Sequence, residues 1–296
     1  MSKQGLIAGF ACYFVWGILS IYWKSLDEVN SYEIIAHRIL WCCVVTFVVC
    51  KLLHIDVLRL FKQKRAWCIL VPAGFLCALN WGLYIAAVNA NHIIECSMGS
   101  YLNPLVNMLF GVLFFHERLS VVEIIAIVLC GVGILYFTVD YGSFPLIAIV
   151  LAVTFGLYGA LKKKGAYPPV SAIAFESFSV TPIALVILVF MAQQGTLTFL
   201  SSLSTPHDIV VNIMLLGAGA VTAFPLILFA SAANSIPLTT LGFLQYISPT
   251  IQLGIGVFLF GEEFSMAHAV CMTCIWIGLL LVALHSLRRS RTRSVV

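Results

Sequence analysis

Apolar runs long enough to cross hydrocarbon recur along almost the whole chain, near residues 5–23, 31–50, 67–88, 93–115, 120–138, 144–161, 170–192, 208–231, 237–260 and 266–287. Backbone inside lipid has no water to bond, so each run must satisfy its own N–H and C=O groups. A helix of roughly 20 residues does this. Composition agrees, with 61% of the 296 residues hydrophobic and 9% charged. The expected fold is an all-α polytopic membrane protein of about ten transmembrane helices. The longest polar connection, around Gln193 to Asp208, leaves no room for an extramembrane module. The first run follows Lys3 and Gln4, carries Trp16 and Tyr22, lacks a small-x-small cleavage pattern before Lys24, and leads directly into another span. It reads as a retained helix and not as a cleavable signal.

Residues 73–120 and 218–265 superimpose without a gap at an offset of 145 (219 − 74), and about a quarter of the aligned positions are identical. Gly74 falls on Gly219, Asn89 on Asn234, Tyr101 on Tyr246, Pro104 on Pro249, Gly111 on Gly256, Glu117 on Glu262 and Ser120 on Ser265. The chain therefore reads as two five-helix repeats, 1–141 and 142–296. Because each holds an odd number of spans, the second must enter the bilayer the opposite way round. Inverted repeats of this kind are typical of secondary transporters.

Lysine and arginine set the expected orientation. Lys51, Arg59, Lys62, Lys64 and Arg65 lie between spans 2 and 3, Arg118 between 4 and 5, Lys162, Lys163 and Lys164 between 6 and 7, and Arg288, Arg289, Arg291 and Arg293 after span 10. With Lys3, all fall on one side if both termini are cytoplasmic, leaving Lys24 and Arg38 elsewhere. The net charge of +4 is thus a topology signal, and no nucleic-acid partner is expected. The ten cysteines sit mostly inside apolar spans, where a thiol is a small hydrophobe. Cys271 and Cys274 have C-x-x-C spacing but no second Cys or His pair nearby, and the seven histidines are scattered, so neither a metal nor a cofactor is expected.

A charge in hydrocarbon costs at least about 2.5 kcal/mol, so polar residues inside spans need a reason. In span 2, Glu33 and His37 share a helical face, Arg38 lies on the neighbouring one, and Trp41 follows a turn later. Either Glu33 sits at the outer interface with Arg38 snorkelling to headgroups, or the group walls an outward-opening aqueous cavity. Glu176 in span 7 lies on the order of 10 Å in from Pro169, too deep for a short acid to snorkel. It binds a cationic group, carries a proton or pairs with an internal base. Glu176 and His37 are the candidate proton-coupling groups, expected to face one shared cavity, since an imidazole titrates near neutrality.

Spans 1, 3 and 4 and their counterparts 6 and 9 supply further candidates for lining a substrate site: Tyr13 and Trp16, Asn80, Trp81 and Tyr84, Tyr101 and Asn103, Tyr158, then Gln245 and Tyr246. Pro104 and Pro249 free backbone carbonyls and bend their helices. Spans 5 and 10 are nearly pure aliphatic and read as peripheral, and the repeated glycines read as helix packing. Ser120 with Glu123 makes a capping-box pattern for span 5, Ser265 a weaker one for span 10, while Glu117 and Glu262 read as helix-terminating acids.

The five-span repeat, with fourth and ninth helices carrying proline and closing in a Glu-x-x-Ser corner, resembles the EamA-type drug/metabolite transporter superfamily. More narrowly, Glu33-x-x-x-His37-Arg38-x-x-Trp41, Asn80-Trp81, Tyr101-x-Asn103-Pro104-Leu105-Val106-Asn107, Glu176 and Leu241-Gly242-Phe243-x-Gln245-Tyr246-x-x-Pro249-Thr250 resemble its RarD branch, labelled chloramphenicol-sensitive proteins. The resemblance implies a ten-helix inverted-repeat bundle in a bacterial cytoplasmic membrane, with a central cavity between the halves. The expected activity is export of a small amphipathic metabolite or drug by alternating access, with the bilayer and a small-molecule substrate as partners and a proton as candidate coupling ion. An intramembrane lipid-linked transferase, or a passive channel or scramblase, is the alternative.

Single cysteines on a cysteine-free background test the orientation. Positions near Lys62 and at the C terminus should react with a membrane-impermeant maleimide only after permeabilisation, and one near Ser202 should react in intact cells. Labelling of the C terminus in intact cells would overturn the ten-span reading.

Overall fold

The computed structural model describes residues 2–90, 92–261 and 265–293. Its helices are α1 (Lys3–Lys24), α2 (Ser31–Leu52), α3 (Leu58–Phe61), α4 (Lys64–Asn89), α5 (Ile93–Phe115), α6 (Val121–Tyr141), α7 (Leu146–Gly165), α8 (Pro169–Gln193), α9 (Pro206–Ser235), α10 (Leu238–Gln245), α11 (Ile247–Leu259) and α12 (Met266–Arg293). Taking α10 and α11 as one span, ten helical segments among the described residues are long and apolar enough to cross a membrane. The protein is an all-α polytopic membrane protein.

Two features depart from the sequence reading. The loop after span 2 contains the one-turn helix α3, whose Leu60 is buried beside Ala66, Ile69 and Phe175. The ninth span is interrupted at Tyr246. Pro249 has no N–H to offer the Gln245 carbonyl and its ring crowds that carbonyl, so the ladder skips a bond there and resumes with Thr250 N–H on Tyr246 O at 3.2 Å.

Local signals place the helix starts. Asn30 accepts the Tyr32 N–H to open α2, and the Ser120–Glu123 capping box opens α6 as its sequence pattern requires. Thr205 and Asp208 make a second capping box at α9, with Pro206 at the first helical position, and Ser265 accepts the His268 N–H at α12. Glu262 lies outside the described residues.

Helix pairing follows where small residues permit contact. α2 packs on α8 and α9, α4 on α7 and α8, α5 on α7, α1 on α9, and α6 on α12. A Cβ at Gly219 of α9 would lie 2.2 Å from the Trp41 backbone in α2, and one at Gly74 of α4 would lie 2.8 Å from the Glu176 carbonyl in α8. These glycines are repeat equivalents in sequence and mark the closest approaches of two helix pairs. Cys271 and Cys274 pack against Gly133 in the α6–α12 contact. The outward faces of that pair carry Ile124, Val128, Val132, Leu135, Leu280 and Leu284, all exposed, as a peripheral lipid-facing position requires.

Adding a methyl at Gly219 must push α9 from α2. Gly219→Ala should therefore lower the thermal midpoint in detergent, at a cost of about 1–3 kcal/mol. Gly254→Ala, with open space around the added methyl, should match wild type. Equal midpoints for all three proteins would show that the α2–α9 approach does not limit stability.

Candidate functional site

The most distinctive chemistry lies where α7 and α8 meet. Lys162 and Glu176 are both buried, with Nζ 2.6 Å from Oε1, and the Tyr158 hydroxyl donates to Oε2 at 3.4 Å. Tyr158 and Lys162 are one turn apart on α7, which points both at the carboxylate. Two ions removed from water together cost less than either alone, and the tyrosine satisfies a further lone pair. Glu176 also walls a cavity bounded by Ile39 and Cys42 of α2, Gly74, Cys77 and Trp81 of α4, Tyr158 of α7, and Leu226 of α9. The space is narrow in this conformation and admits water but no solute.

An aromatic cluster adjoins it. The Tyr158 ring stacks on Phe229 with centroids 5.5 Å apart, Phe229 meets Tyr13 at 6.4 Å, and Trp16 packs edge-on to Phe155 at 5.8 Å. Tyr13, Trp16, Trp81, Tyr158 and Glu176 thus gather in one region, drawn from α1, α4, α7 and α8.

The α2 group splits in two directions. The Trp41 indole N–H donates to His37 Nδ1 at 2.9 Å, so the neutral ring carries its proton on Nε2, which is buried 3.9 Å from Glu33 Oε1. The Glu33 carboxylate accepts the backbone N–H groups of Thr198, at 3.0 and 2.9 Å, and Phe199, at 2.7 Å. Glu33, in the first turn of α2, is fully buried, lines neither cavity and holds the loop before α9. His37 faces Phe199 and does not line the Glu176 cavity, so the structure does not bring the two expected partners together. Arg38 points inward, its Nε donating to Thr222 Oγ1 at 3.2 Å and its guanidinium 4.4 Å and 4.1 Å from the ring centroids of Trp23 and Trp81.

Asn80, Tyr84 and Asn103 line a second, more polar cleft with Ser100 and Leu151, where Asn80 donates to Leu151 O at 2.8 Å and Thr154 Oγ1 at 2.9 Å. Gln245 is buried and accepts from Asn107 at 2.5 Å, tying α10 to α5. Tyr101 and Tyr246 are buried with Met98, Phe137 and Phe243 in a separate cluster and line neither space.

The chain as a whole is similar to known proteins. The EamA-like transporter family profile matches residues 3–139. An uncharacterized transporter, YojE, of Bacillus subtilis is 36% identical over 98% of this chain and 97% of its own. Protein RarD of Escherichia coli is 33% identical over 99% and 98%. This chain belongs to the EamA-like transporter family, in its RarD-type branch. A crystal structure at 18% identity shares the fold, with a TM-score of 0.73 over 97% of this chain and 99% of that one. The protein is accordingly a bacterial multi-pass membrane protein and a transporter, which fits a non-enzyme.

Within this RarD-type transporter, several residues acquire roles that spacing did not reveal. Lys162, read as a topology charge, is the partner of Glu176; its i+4 relation to Tyr158 was the available signal. Glu95 accepts the Ile147 N–H at 3.1 Å at the start of α7. Glu117 does more than end α5: it accepts the N–H groups of Leu238 at 2.7 Å and Thr239 at 2.9 Å, and lies 3.3 Å from Lys163, which donates to Ile236 O. Burial alone would push the Glu117 carboxyl up, but those N–H groups, the Thr239 hydroxyl and Lys163 outweigh it and hold it below the usual carboxylate range.

A depressed folded-state pKa contributes stability above the unfolded value, about 4.3, that is lost as pH falls through the folded value. The thermal midpoint of wild type should therefore drop on acidification below about pH 4. Glu117→Ala should lose about 1–3 kcal/mol at pH 7 and show a smaller acid-side loss. An unchanged midpoint at pH 7 would remove the clasp from the account.

Proposed function

We propose that the protein is a secondary carrier, with both termini cytoplasmic in the inner membrane, that exports a small amphipathic solute by alternating access. The observation that carries the reading is the buried Lys162–Glu176–Tyr158 group on a cavity shared by α2, α4, α7, α8 and α9. A carboxylate whose partners are side chains can exchange them for a proton or solute without unmaking a helix. The inverted-repeat assignment, 1–141 and 142–296, is supported by the pairings. Exchanging each span for its counterpart turns α1 on α9 into α7 on α4, and α2 on α9 into α8 on α4, and both members of each set are packed.

Glu176 is the proposed proton carrier. On protonation it ceases to hold Lys162, so the pair opens and closes with the coupling ion. The proposed solute wall comprises Tyr13, Trp16, Trp81 and Tyr158, with Asn80, Tyr84 and Asn103 in the adjoining cleft. Tyr101, Gln245, Tyr246 and His37 act by packing and positioning.

Proteoliposomes test this with a solute selected by thermal shift. Wild type should show saturable counterflow and pH-gradient-driven accumulation. Glu176→Gln should keep counterflow but lose the accumulation by roughly tenfold or more, the expected effect of removing a proton-transfer group. Non-saturating flux would indicate a channel, product formation an enzyme, and wild-type accumulation by Glu176→Gln would exclude that residue from coupling.

A further inference from the structure

Among the described residues, Arg38 is a cation turned into the bundle interior without a carboxylate partner, none lying within 4.0 Å of its guanidinium. The buried acids of the spans are committed elsewhere: Glu33 to the Thr198–Phe199 backbone, Glu95 to Ile147, and Glu176 to Lys162. One of the five guanidinium N–H donors is used, Nε on Thr222 Oγ1 at 3.2 Å, and the terminal nitrogens make no hydrogen bond to described residues. Two indoles hold the cation, Trp23 at 4.4 Å and Trp81 at 4.1 Å. Its contacts come from α1, α4 and α9, so it faces the bundle interior, as functional intramembrane charges do. Trp81 also lines the Glu176 cavity, which makes Arg38 and that cavity neighbours across one ring.

We propose that Arg38 is the receptor for a carboxylate on the transported solute, its terminal N–H pair binding the two oxygens while Trp81 contacts the solute's apolar body. This rests on the carrier reading. A planar fork held by aromatic rings, with its edge donors unspent, matches a carboxylate in geometry as well as charge. The cost of placing this cation in the membrane is then offset during the transport cycle by the solute. A phospholipid phosphate offers similar anionic oxygens, and the experiment separates the two.

The purified chain in phosphate-free maltoside micelles is titrated with phenylacetate and with phenylacetamide, its uncharged isostere, reading tryptophan fluorescence and thermal midpoint. Phenylacetate should bind saturably at up to tens of millimolar, and the amide should bind at least roughly tenfold more weakly. Arg38→Gln should weaken phenylacetate by roughly tenfold or more, and Arg38→Lys, which keeps charge but not the fork, by several-fold. If Arg38→Gln does not reach a monodisperse fold, Arg38→Lys and Trp81→Phe carry the comparison. No carboxylate binding, equal binding of acid and amide, or wild-type affinity in the folded Arg38 variants would overturn the proposal. So would an Arg38-dependent response to added phosphatidylglycerol with none to phenylacetate, which would assign the site to lipid. Counterflow run in parallel keeps the two readings apart: saturable counterflow without an Arg38-dependent carboxylate response sinks the receptor alone, and the converse sinks the carrier alone.

Discussion

In hydrocarbon a helix start is a set of backbone N–H groups with nothing to bond, and how those groups are met constrains where each helix sits. Two carboxylates meet such starts here, and a third holds a loop in the same way. Glu33 takes the N–H groups of Thr198 and Phe199 in the loop before α9, Glu95 that of Ile147 at α7, and Glu117 those of Leu238 and Thr239 at α10. All three acids precede residue 141 and every backbone group they hold follows residue 142. Charge-assisted bonds to backbone are the strong kind. They therefore join the two parts of the chain through backbone groups of the second.

The Lys162–Glu176 pair obeys different physics. Its partners are side chains, and in low dielectric the attraction between the two ions is set against the desolvation of both. Removing one partner would leave a buried charge, at a cost of about 3–5 kcal/mol. A proton on Glu176 together with an anion offered to Lys162 avoids that cost, because each buried charge is then neutralised or paired. Glu95 and Glu117 have no such exchange available without loss of a helix start, nor Glu33 without release of its loop. Permanence and exchangeability are thus divided between acids that look alike in composition.

Legibility in the sequence follows the range of the interaction. Spans, caps and close-approach glycines are local or periodic, so hydropathy, Ser120–Glu123 and the 145-residue offset reveal them. Glu176 is legible as an isolated acid in an apolar run. Its partner was not, because Lys162 sits in Lys162-Lys163-Lys164, where a tally of positive charges treats three residues alike although the helix sends Lys162 to Glu176 and Lys163 to Glu117 and Ile236 O. The hold of Glu33 was illegible for the same reason. The N–H groups that donate to it lie 165 and 166 residues away in a loop, and no spacing rule reaches that far. Tyr101 and Tyr246 are placed equivalently in the sequence repeat, but equivalence fixes their depth and not the direction of their rings, which turn into an apolar cluster.

The interruption at Tyr246 falls where the hydrogen-bonding partners of the ninth span change. α10 is fixed to α5 at both ends, by Glu117 on its first N–H groups and by Asn107 on Gln245, and Gly242 permits its approach to the Pro104 carbonyl. Beyond the break, α11 leans on α1, with Gln252 donating to Trp16 O at 3.4 Å and Ile251 seated against Gly17. The missing ladder bond at Pro249 leaves these segments coupled through few backbone constraints. Trp16 belongs to the aromatic cluster beside Glu176, so α1 links that cluster to α11 through Gln252, while its Gly9 packs against Leu241 and Leu244 of α10. On the proposed alternating-access reading, this arrangement would keep one segment anchored while its continuation follows the proposed solute wall.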